Sequence, residues 1–292
     1  MTPPLPAATA LGAVRLTVAD LAGTAAFYEH VLGLAPLAHD GDTATLGTPS
    51  GRGLVELVER ADAAPRPRGS SGLFHLALLL PTREDLAVAL RRIAQARHPL
   101  QGASDHLVSE ALYLADPEGN GIEVYRDRPR EQWGHEADGD IRMATLPLDL
   151  DALIAELPGG GLQDERSAGG VPDGAVIGHV HLQVADVEQA EAFYHGVLGF
   201  DVVVRSYPGA RFVSAGGYHH HLGLNTWASA GGPPNTPGTL GLDRYTIVLP
   251  DESAIARVGD RLTAAGAAIR EREGELVSAD PFGNEIAFVT GT

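Results

Sequence analysis

The sequence predicts an α+β fold built from four related modules, each of which runs strand, helix and then two or three strands. Two internal repeats carry this prediction. Residues 14–34 (VRLTVADLAGTAAFYEHVLGL) and 180–200 (VHLQVADVEQAEAFYHGVLGF) align without a gap. Residues 114–125 (LADPEGNGIEVY) and 278–289 (SADPFGNEIAFV) share the pattern A-D-P-x-G-N-x-I. Because such repeats mark repeated structural units, we expect the order β-α-β-β-β four times along the chain.

Modules one and three follow from the first repeat. Each segment starts with alternating apolar residues, which indicate a half-buried strand. Asp20 or Asp186 comes next at the position of a helix N-cap, where a carboxylate accepts the free N–H groups of the first turn. Gly33 or Gly199 then ends the helix. Further strands are predicted at 43–47 and 53–59 in module one, and at 201–205, 210–215 and 219–226 in module three.

Modules two and four follow from the second repeat. Each begins with an apolar strand that ends in Leu-Pro, at 76–81 and at 245–250. A helical pattern comes next, and the A-D-P-x-G-N motif then predicts a tight turn before a final strand. The four modules are therefore placed at about 1–62, 72–126, 177–227 and 241–290.

The longest connector divides the chain into two units, at 1–126 and 177–292. Residues 127–176 form this linker, in which one short helix is predicted at 148–157 before a stretch rich in glycine. Each unit is expected to contain two modules.

Composition excludes several classes of function. The formal net charge of -17 argues against nucleic-acid binding, which needs clustered Lys and Arg, and against anionic membrane surfaces. The chain has no cysteine, so a transition metal would have to be held by histidines and carboxylates. There is neither a signal-peptide pattern at the start nor an apolar run long enough to span a bilayer, so we expect a cytoplasmic protein.

Candidate metal ligands emerge from a comparison of equivalent positions in the repeats. In the first strand of modules one and three, Arg15 lies opposite His181. In modules two and four, counting back from the closing proline places His75 opposite Arg244. In both comparisons the histidine belongs to a middle module and the arginine to a terminal one.

The last strands give the third candidate, since Glu123 lies opposite Ala287 in the A-D-P-x-G-N alignment. A single histidine in an apolar strand is more often a core residue, and a glutamate in a strand usually faces solvent. Here His75, Glu123 and His181 occupy matching points of repeated units, which favours a metal site. Two imidazoles and one carboxylate are typical of non-haem Fe(II) sites, with Mn(II) as an alternative.

Three further residues are candidates for acid–base work. His106 and Tyr113 precede Glu123 in module two, and an imidazole with a phenol beside a metal can move protons. The segment 216–225 reads GGYHHHLGLN and is predicted as a strand, so that His220 faces opposite to its two histidine neighbours. Each of these signals is weak when taken alone.

The motifs resemble a known superfamily. Repeated βαβββ modules with D-P-x-G-N-x-x-E at the end of one resemble the vicinal oxygen chelate superfamily, which includes glyoxalase I, bleomycin-binding proteins and extradiol dioxygenases. The segments DHLVSEALYLADPEGNGIEVY, GHVHLQV and GGYHHHLGLN are similar to the Bacillus-type catechol 2,3-dioxygenases. The resemblance implies two cupped, mostly antiparallel half-barrel sheets with the helices outside.

The resemblance also implies roles for the candidate residues. The iron ligands would be His75, Glu123 and His181. The catalytic residues would be His106, Tyr113 and His220, although the choice among His219, His220 and His221 for the acid–base residue stays open.

The pairing of modules departs from the best-known extradiol enzymes, in which modules three and four carry the metal. Here module four has lost its ligand positions, so modules two and three would have to pair, which leaves modules one and four as a metal-free half. If modules one and two paired instead, a homodimer would be needed to complete the site.

The implied activity is an Fe(II)-dependent extradiol, or meta, ring cleavage. Catechol or a substituted catechol would react with O2 to give a muconic semialdehyde. The alternatives are a glyoxalase-like lyase, a hydroquinone dioxygenase, or a non-enzymatic protein that binds a small molecule and confers resistance.

Overall fold

The computed structural model describes residues 2–159, 161–162 and 169–291, and each module in it supplies a strand, a helix and three further strands. Module one contains β1 (Ala10–Val18), α1 (Leu21–His30), β2 (Ala35–Asp40), β3 (Thr43–Gly47) and β4 (Gly53–Glu59). Module two contains β5 (Gly72–Leu80), α2 (Arg83–Gln95), β6 (Gly102–Asp105), β7 (Ser109–Ala115) and β8 (Gly121–Asp127). The connector after module two contains a 3-10 turn (Arg130–Gln132), β9 (Leu146–Pro147) and α3 (Leu150–Ile154).

The second half of the chain repeats this order. Module three contains β10 (Val176–Gln183), α4 (Val187–Glu191) with a π-helical continuation (Ala192–Leu198), β11 (Asp201–Val204), β12 (Ala210–Ser214) and β13 (Leu222–Asn225). Module four contains β14 (Gly241–Leu249), α5 (Glu252–Ala264), β15 (Arg270–Arg272), β16 (Glu275–Ala279) and β17 (Glu285–Thr290).

The strands form two curled sheets. One sheet has eight strands in the order β15-β16-β17-β14-β1-β4-β3-β2, and the other has nine in the order β11-β12-β13-β10-β5-β8-β7-β6-β9. Neighbouring strands are mostly antiparallel, but in each module the first strand pairs in parallel with the last. The predicted α+β fold of four βαβββ modules in two half-barrel sheets is therefore confirmed.

The sheets show which modules belong together. Modules one and four join through β1 and β14, and modules two and three join through β5 and β10. Each sheet thus combines one module from either side of the linker predicted at 127–176. The division of the chain into two domains, 1–126 and 177–292, stays a prediction. Residues 160 and 163–168 of that linker lie outside the described residues.

The predicted helix boundaries have the expected chemistry. Asp20 accepts from the N–H of Gly23 at 2.9 Å, and Asp186 accepts from the N–H of Gln189 at 2.8 Å. Gly199 follows the π-helical turn with a φ of 93°, a left-handed conformation that costs glycine little. The helices of all four modules begin at such a side-chain cap, so equivalent residues of the modules can be found by counting from the cap.

The two repeated motifs contact each other between modules. The hydroxyl of Tyr28, from the A-F-Y motif of module one, donates to Asp116 of the A-D-P motif in module two at 3.2 Å. Tyr194 donates to Asp280 in the same way at 2.9 Å. These contacts tie module one to two and module three to four, whereas the sheets tie one to four and two to three. The two motifs therefore stabilise the packing between modules.

No helix of the described chain has the length and apolar character needed to cross a membrane. The cytoplasmic location and the homodimer alternative stay predictions.

Candidate metal centre and active-site cavity

Three side chains converge at the centre of the nine-stranded sheet. Nε2 of His75 lies 3.0 Å from Oε2 of Glu123, and Nε2 of His179 lies 3.1 Å from the same oxygen. The two Nε2 atoms are 3.3 Å apart. The side chains come from three adjacent strands, β5, β8 and β10, and each is at most 6% exposed. Among the residues that the structure describes, these three form the cluster whose geometry could hold a metal ion.

The donor set fits a divalent transition metal. If both imidazoles donated Nε2–H to Oε2 of Glu123, two N–H groups would crowd one oxygen with their nitrogen atoms only 3.3 Å apart. A cation bound between the three atoms would instead accept one lone pair from each, and two imidazoles with one carboxylate are typical of Fe(II) or Mn(II) sites. The residues present therefore fit such an ion.

The charge states also suit a cation. Burial alone would raise the pKa of Glu123, but His179 and His75 hold that pKa well below its usual value. Burial lowers the pKa of His179 to about 4, although Glu123 opposes the shift. At neutral pH the group is therefore a carboxylate beside a neutral imidazole, and these are the protonation states that bind metals.

The third member of this cluster is His179, where the sequence interpretation chose His181. The helix caps explain the difference, because the residue seven positions before each cap is the equivalent one. Those residues are Ala13, His75, His179 and Arg244. The repeat that we compared begins at residue 180, so His179 lay just outside it.

His181 nevertheless lies at the site. Residues two apart in a strand share a face, so the rings of His179 and His181 both point into the same cavity. The ring centroid of His181 is 4.9 Å from that of His75. Its buried Nε2 has no hydrogen-bond partner within the described part of the chain. Burial, together with the neighbouring His75, lowers its pKa well below the usual value.

The predicted pair of His106 and Tyr113 is in direct contact. Nε2 of His106 lies 2.7 Å from the Tyr113 hydroxyl, and Nδ1 lies 2.7 Å from the carbonyl oxygen of Ala144. Since a carbonyl can only accept, Nδ1 carries the proton, and the neutral ring accepts the tyrosine O–H at Nε2. Burial raises the pKa of Tyr113 well above its usual value, and the charge of Glu123 adds to this shift.

Of the three consecutive histidines, His220 is the one that lines the cavity. Its ring centroid is 4.2 Å from that of His179. His221 turns away and accepts from the backbone N–H of Ala215 at 3.2 Å. The prediction of a strand through these histidines is wrong, because they form a bend that ends where β13 starts at Leu222. That bend is what lets neighbouring rings take different directions.

A short chain of hydrogen bonds fixes the tautomer of His220. Nε2 of His219 lies 2.8 Å from Oδ1 of Asp127, and its Nδ1 lies 2.8 Å from Nδ1 of His220. Because the carboxylate accepts Nε2–H of His219, the other nitrogen of that ring is an acceptor. His220 therefore donates Nδ1–H to it, which leaves its own Nε2 as a base toward the cavity. His219 belongs to the histidine segment noted in the sequence, but no sequence pattern links it to Asp127.

The cavity itself has a volume of about 310 Å³, near the small end of ligand pockets. Its outer wall is aromatic and includes Phe74, Phe212 and Trp227. Among described residues, its lining contains neither Lys nor Arg. The segment 143–145 of the connector also lines it, although the sequence analysis treated this stretch only as a linker. No periodicity or motif marks that segment, because its position depends on tertiary contacts alone.

Known proteins match this chain in sequence and in fold. The model of the Glyoxalase/Bleomycin resistance protein/Dioxygenase superfamily matches residues 10–124 and 176–288. A curated relative, catechol-2,3-dioxygenase of Bacillus subtilis (strain 168), is 43% identical over 285 residues, which is 96% of this chain and 97% of the relative.

Two solved structures share the fold. A provisionally assigned dioxygenase from Bacillus subtilis subsp. subtilis str. 168 has a TM-score of 0.67 at 13% identity, covering 96% of this chain and 84% of the other. Glyoxalase I from Zea mays has a TM-score of 0.58 at 16% identity, covering 96% and 92%. At such identities these likenesses concern the fold alone.

Proposed function

This chain belongs to the Glyoxalase/Bleomycin resistance protein/Dioxygenase superfamily, and from that premise we propose that it is an Fe(II)-dependent extradiol dioxygenase. It would open the ring of catechol or a substituted catechol beside the diol to give a muconic semialdehyde. The convergence of His75, Glu123 and His179 at one buried point carries the proposal. The similarity over nearly the whole chain to a protein named catechol-2,3-dioxygenase supports it.

The proposed ligands of the iron are His75, Glu123 and His179. When bound, Fe(II) would acidify the diol and activate dioxygen, and Mn(II) has similar ligand preferences. The carboxylate supplies one negative charge and the two histidines supply neutral nitrogen donors. The burial of the site keeps bulk water away from these groups.

The remaining residues would move protons and orient the substrate. His220 presents Nε2 to the cavity and would take the proton of a substrate hydroxyl, while the hydrogen bond to His219 holds its ring in place. Tyr113 donates its O–H to Nε2 of His106 across 2.7 Å, and this pair would donate to or accept from the developing product. The aromatic wall would hold the ring of the substrate through stacking and edge contacts.

The test is anaerobic loading with Fe(II), followed by addition of catechol and air. We expect oxygen uptake, measured with an electrode, together with a yellow ring-fission product. A protein that holds iron but consumes no oxygen with any catechol would contradict the proposal. A glyoxalase-like lyase would also consume none, so the same measurement separates the two activities.

The third ligand can be tested with a matched pair of variants. His179→Ala should lose bound iron, whereas His181→Ala, two residues along the same strand, should retain it. Metal content per chain after gel filtration is the measurement. If His179→Ala retained iron and His181→Ala lost it, His181 would be the third ligand.

A further inference from the structure

A second cavity adjoins the active-site cavity. It has a volume of about 610 Å³ and is open to solvent. Among the described residues that line the two spaces, Met143 and Tyr207 line both. These two side chains therefore form a partition between the site and the outer cavity.

Met143 and Tyr207 lie in two chain segments that hydrogen bonds hold together. The N–H of Ile141 donates to the carbonyl oxygen of Val203 at 3.0 Å. Oδ2 of Asp140 accepts from the backbone N–H groups of Arg205 and Ser206 at 2.8 and 3.0 Å. The connector that holds Met143 is thus tied to the strand and loop that lead to Tyr207. Both residues also pack against a small buried apolar cluster that includes Ile141 and Phe212.

The two halves of the partition differ in how firmly they are held. The hydroxyl of Tyr207 lies 3.1 Å from Oγ1 of Thr145, and its ring packs 5.7 Å from Phe212 and 6.1 Å from Trp227. Met143 is partly exposed, and its unbranched thioether side chain has three rotatable bonds. Tyr207 is therefore the fixed part of the partition, and Met143 is the part that can adapt or be truncated.

The outer cavity has a recognisable chemistry. Its inner lining, next to the partition, includes Ile141, Val204 and Pro208. Glu136 and Asp138 stand at its acidic side, and Glu136 is paired with Arg142 at 2.8 Å. An apolar group would find contacts there, while a carboxylate would meet charge of its own sign.

We propose that the outer cavity is the subsite for a ring substituent and that Met143 limits the size of the substituent that the site accepts. This inference rests on the proposed dioxygenase function. The substrate class is a catechol whose substituent is uncharged and apolar. Shortening Met143 would join the two spaces, so that a substituent as large as a phenyl ring could pass the partition.

The experiment compares catechol with 3-phenylcatechol in the iron-loaded protein and three variants. The measured quantity is the ratio of kcat/KM for 3-phenylcatechol to that for catechol. We expect the ratio to rise about tenfold or more in Met143→Ala and by less in Met143→Val, since such pocket changes discriminate by about 10–200-fold. Met143→Leu conserves the volume and should keep the parent ratio. The gain should reside in KM.

A binding measurement keeps this inference separate from the proposed activity. The dissociation constant of 3-phenylcatechol is determined anaerobically by calorimetry for the same iron-loaded proteins, relative to that of catechol. If no protein consumes oxygen but the alanine variant binds 3-phenylcatechol selectively, the activity is wrong and the partition holds. Unchanged ratios in both the alanine and the valine variants, by turnover and by binding, would overturn the role of Met143.

Discussion

The two sheets of this protein have the same construction but different contents. At the points where the nine-stranded sheet has His75, Glu123 and His179, the eight-stranded sheet has Arg244, Ala287 and Ala13. Arg244 pairs with Glu273 at 2.9 Å and with Glu275 at 3.1 Å. An arginine side chain thus supplies the positive charge in one sheet at a point where a metal ion could supply it in the other. The eight-stranded sheet lacks this set of ligands and therefore serves as an internal control for the site.

The largest effect is expected when a buried carboxylate of one sheet is neutralised and compared with a carboxylate of the other sheet. Glu123→Gln removes the charged oxygen donor, so bound iron and kcat/KM should fall by more than about 100-fold, the upper end of what hydrogen-bond partners of ligands lose. Glu285→Gln in β17 is the matched control, because Glu285 pairs with Arg270 and Arg272 and lies in the other sheet. That variant should keep its iron. Metal content and oxygen uptake are the measurements, and equal losses in the two variants would contradict the assignment.

The next effect concerns the hydrogen bonds behind His220. Asp127→Asn removes the charge that holds Nε2–H of His219, so the ring that orients His220 can take the other tautomer. We expect kcat to fall by roughly 10- to 100-fold while bound iron stays at the parent level. A matching loss of iron would show that Asp127 supports the metal site and not the base. Steady-state kinetics with metal analysis on the same samples separates these results.

The sequence was enough to predict the modules, and it favoured the pairing of modules two and three while the pairing of modules one and two stayed open. Two repeats defined the strands and helices, and the loss of ligands from modules one and four indicated that modules two and three form the site. His75 and Glu123 followed from the same comparison. The sequence comparison chose His181, whereas the geometric cluster contains His179, because two histidines lie on one face of β10 and the compared repeat started one residue after His179. Counting from the capping residue Asp186 selects His179.

Other parts of the site could not be predicted from the sequence. Asp127 and His219 are 92 residues apart, and their contact depends on how modules two and three pair. The segment 143–145 has no periodic pattern, and its place in the cavity wall depends on the ties to the loop before β12. The bend at His219–His221 also opposes the local alternation that suggested a strand. In each case the position depends on a contact between residues that are distant in the sequence.

Acid should loosen the two sheets unequally in the metal-free protein. Every buried histidine among the described residues lies in modules two and three. Burial lowers the pKa of His179 and of His221 to about 4, whereas an unfolded chain binds these protons near pH 6.5. Between those values the unfolded state binds more protons, so the free energy of unfolding falls as the pH is lowered from about 6.5 towards 4. The low pKa of Glu123 adds a further loss at still lower pH.

Hydrogen exchange at pH 7 and pH 5 measures this difference. We expect amide protection in β12 and β13 to fall at pH 5, while β16 and β17 in the eight-stranded sheet change less. The melting temperature should fall as the pH is lowered over the same range. An equal loss of protection in both sheets, or an earlier loss in β16 and β17, would show that the buried histidines do not set the acid sensitivity.

The smallest effect is expected at the arginine that occupies the position of a ligand. Arg244→Met removes the ion pairs with Glu273, which is 53% exposed, and with Glu275. Such partly screened pairs contribute about 1 kcal/mol or less, and an apolar side chain of similar length keeps the packing. The free energy of unfolding in urea should change by about that amount, with bound iron and kcat/KM as in the parent. His75→Met, the same substitution at the equivalent point of the nine-stranded sheet, should abolish iron binding. A loss of iron in Arg244→Met would show that the two sheets are coupled, and the eight-stranded sheet could then no longer serve as a control.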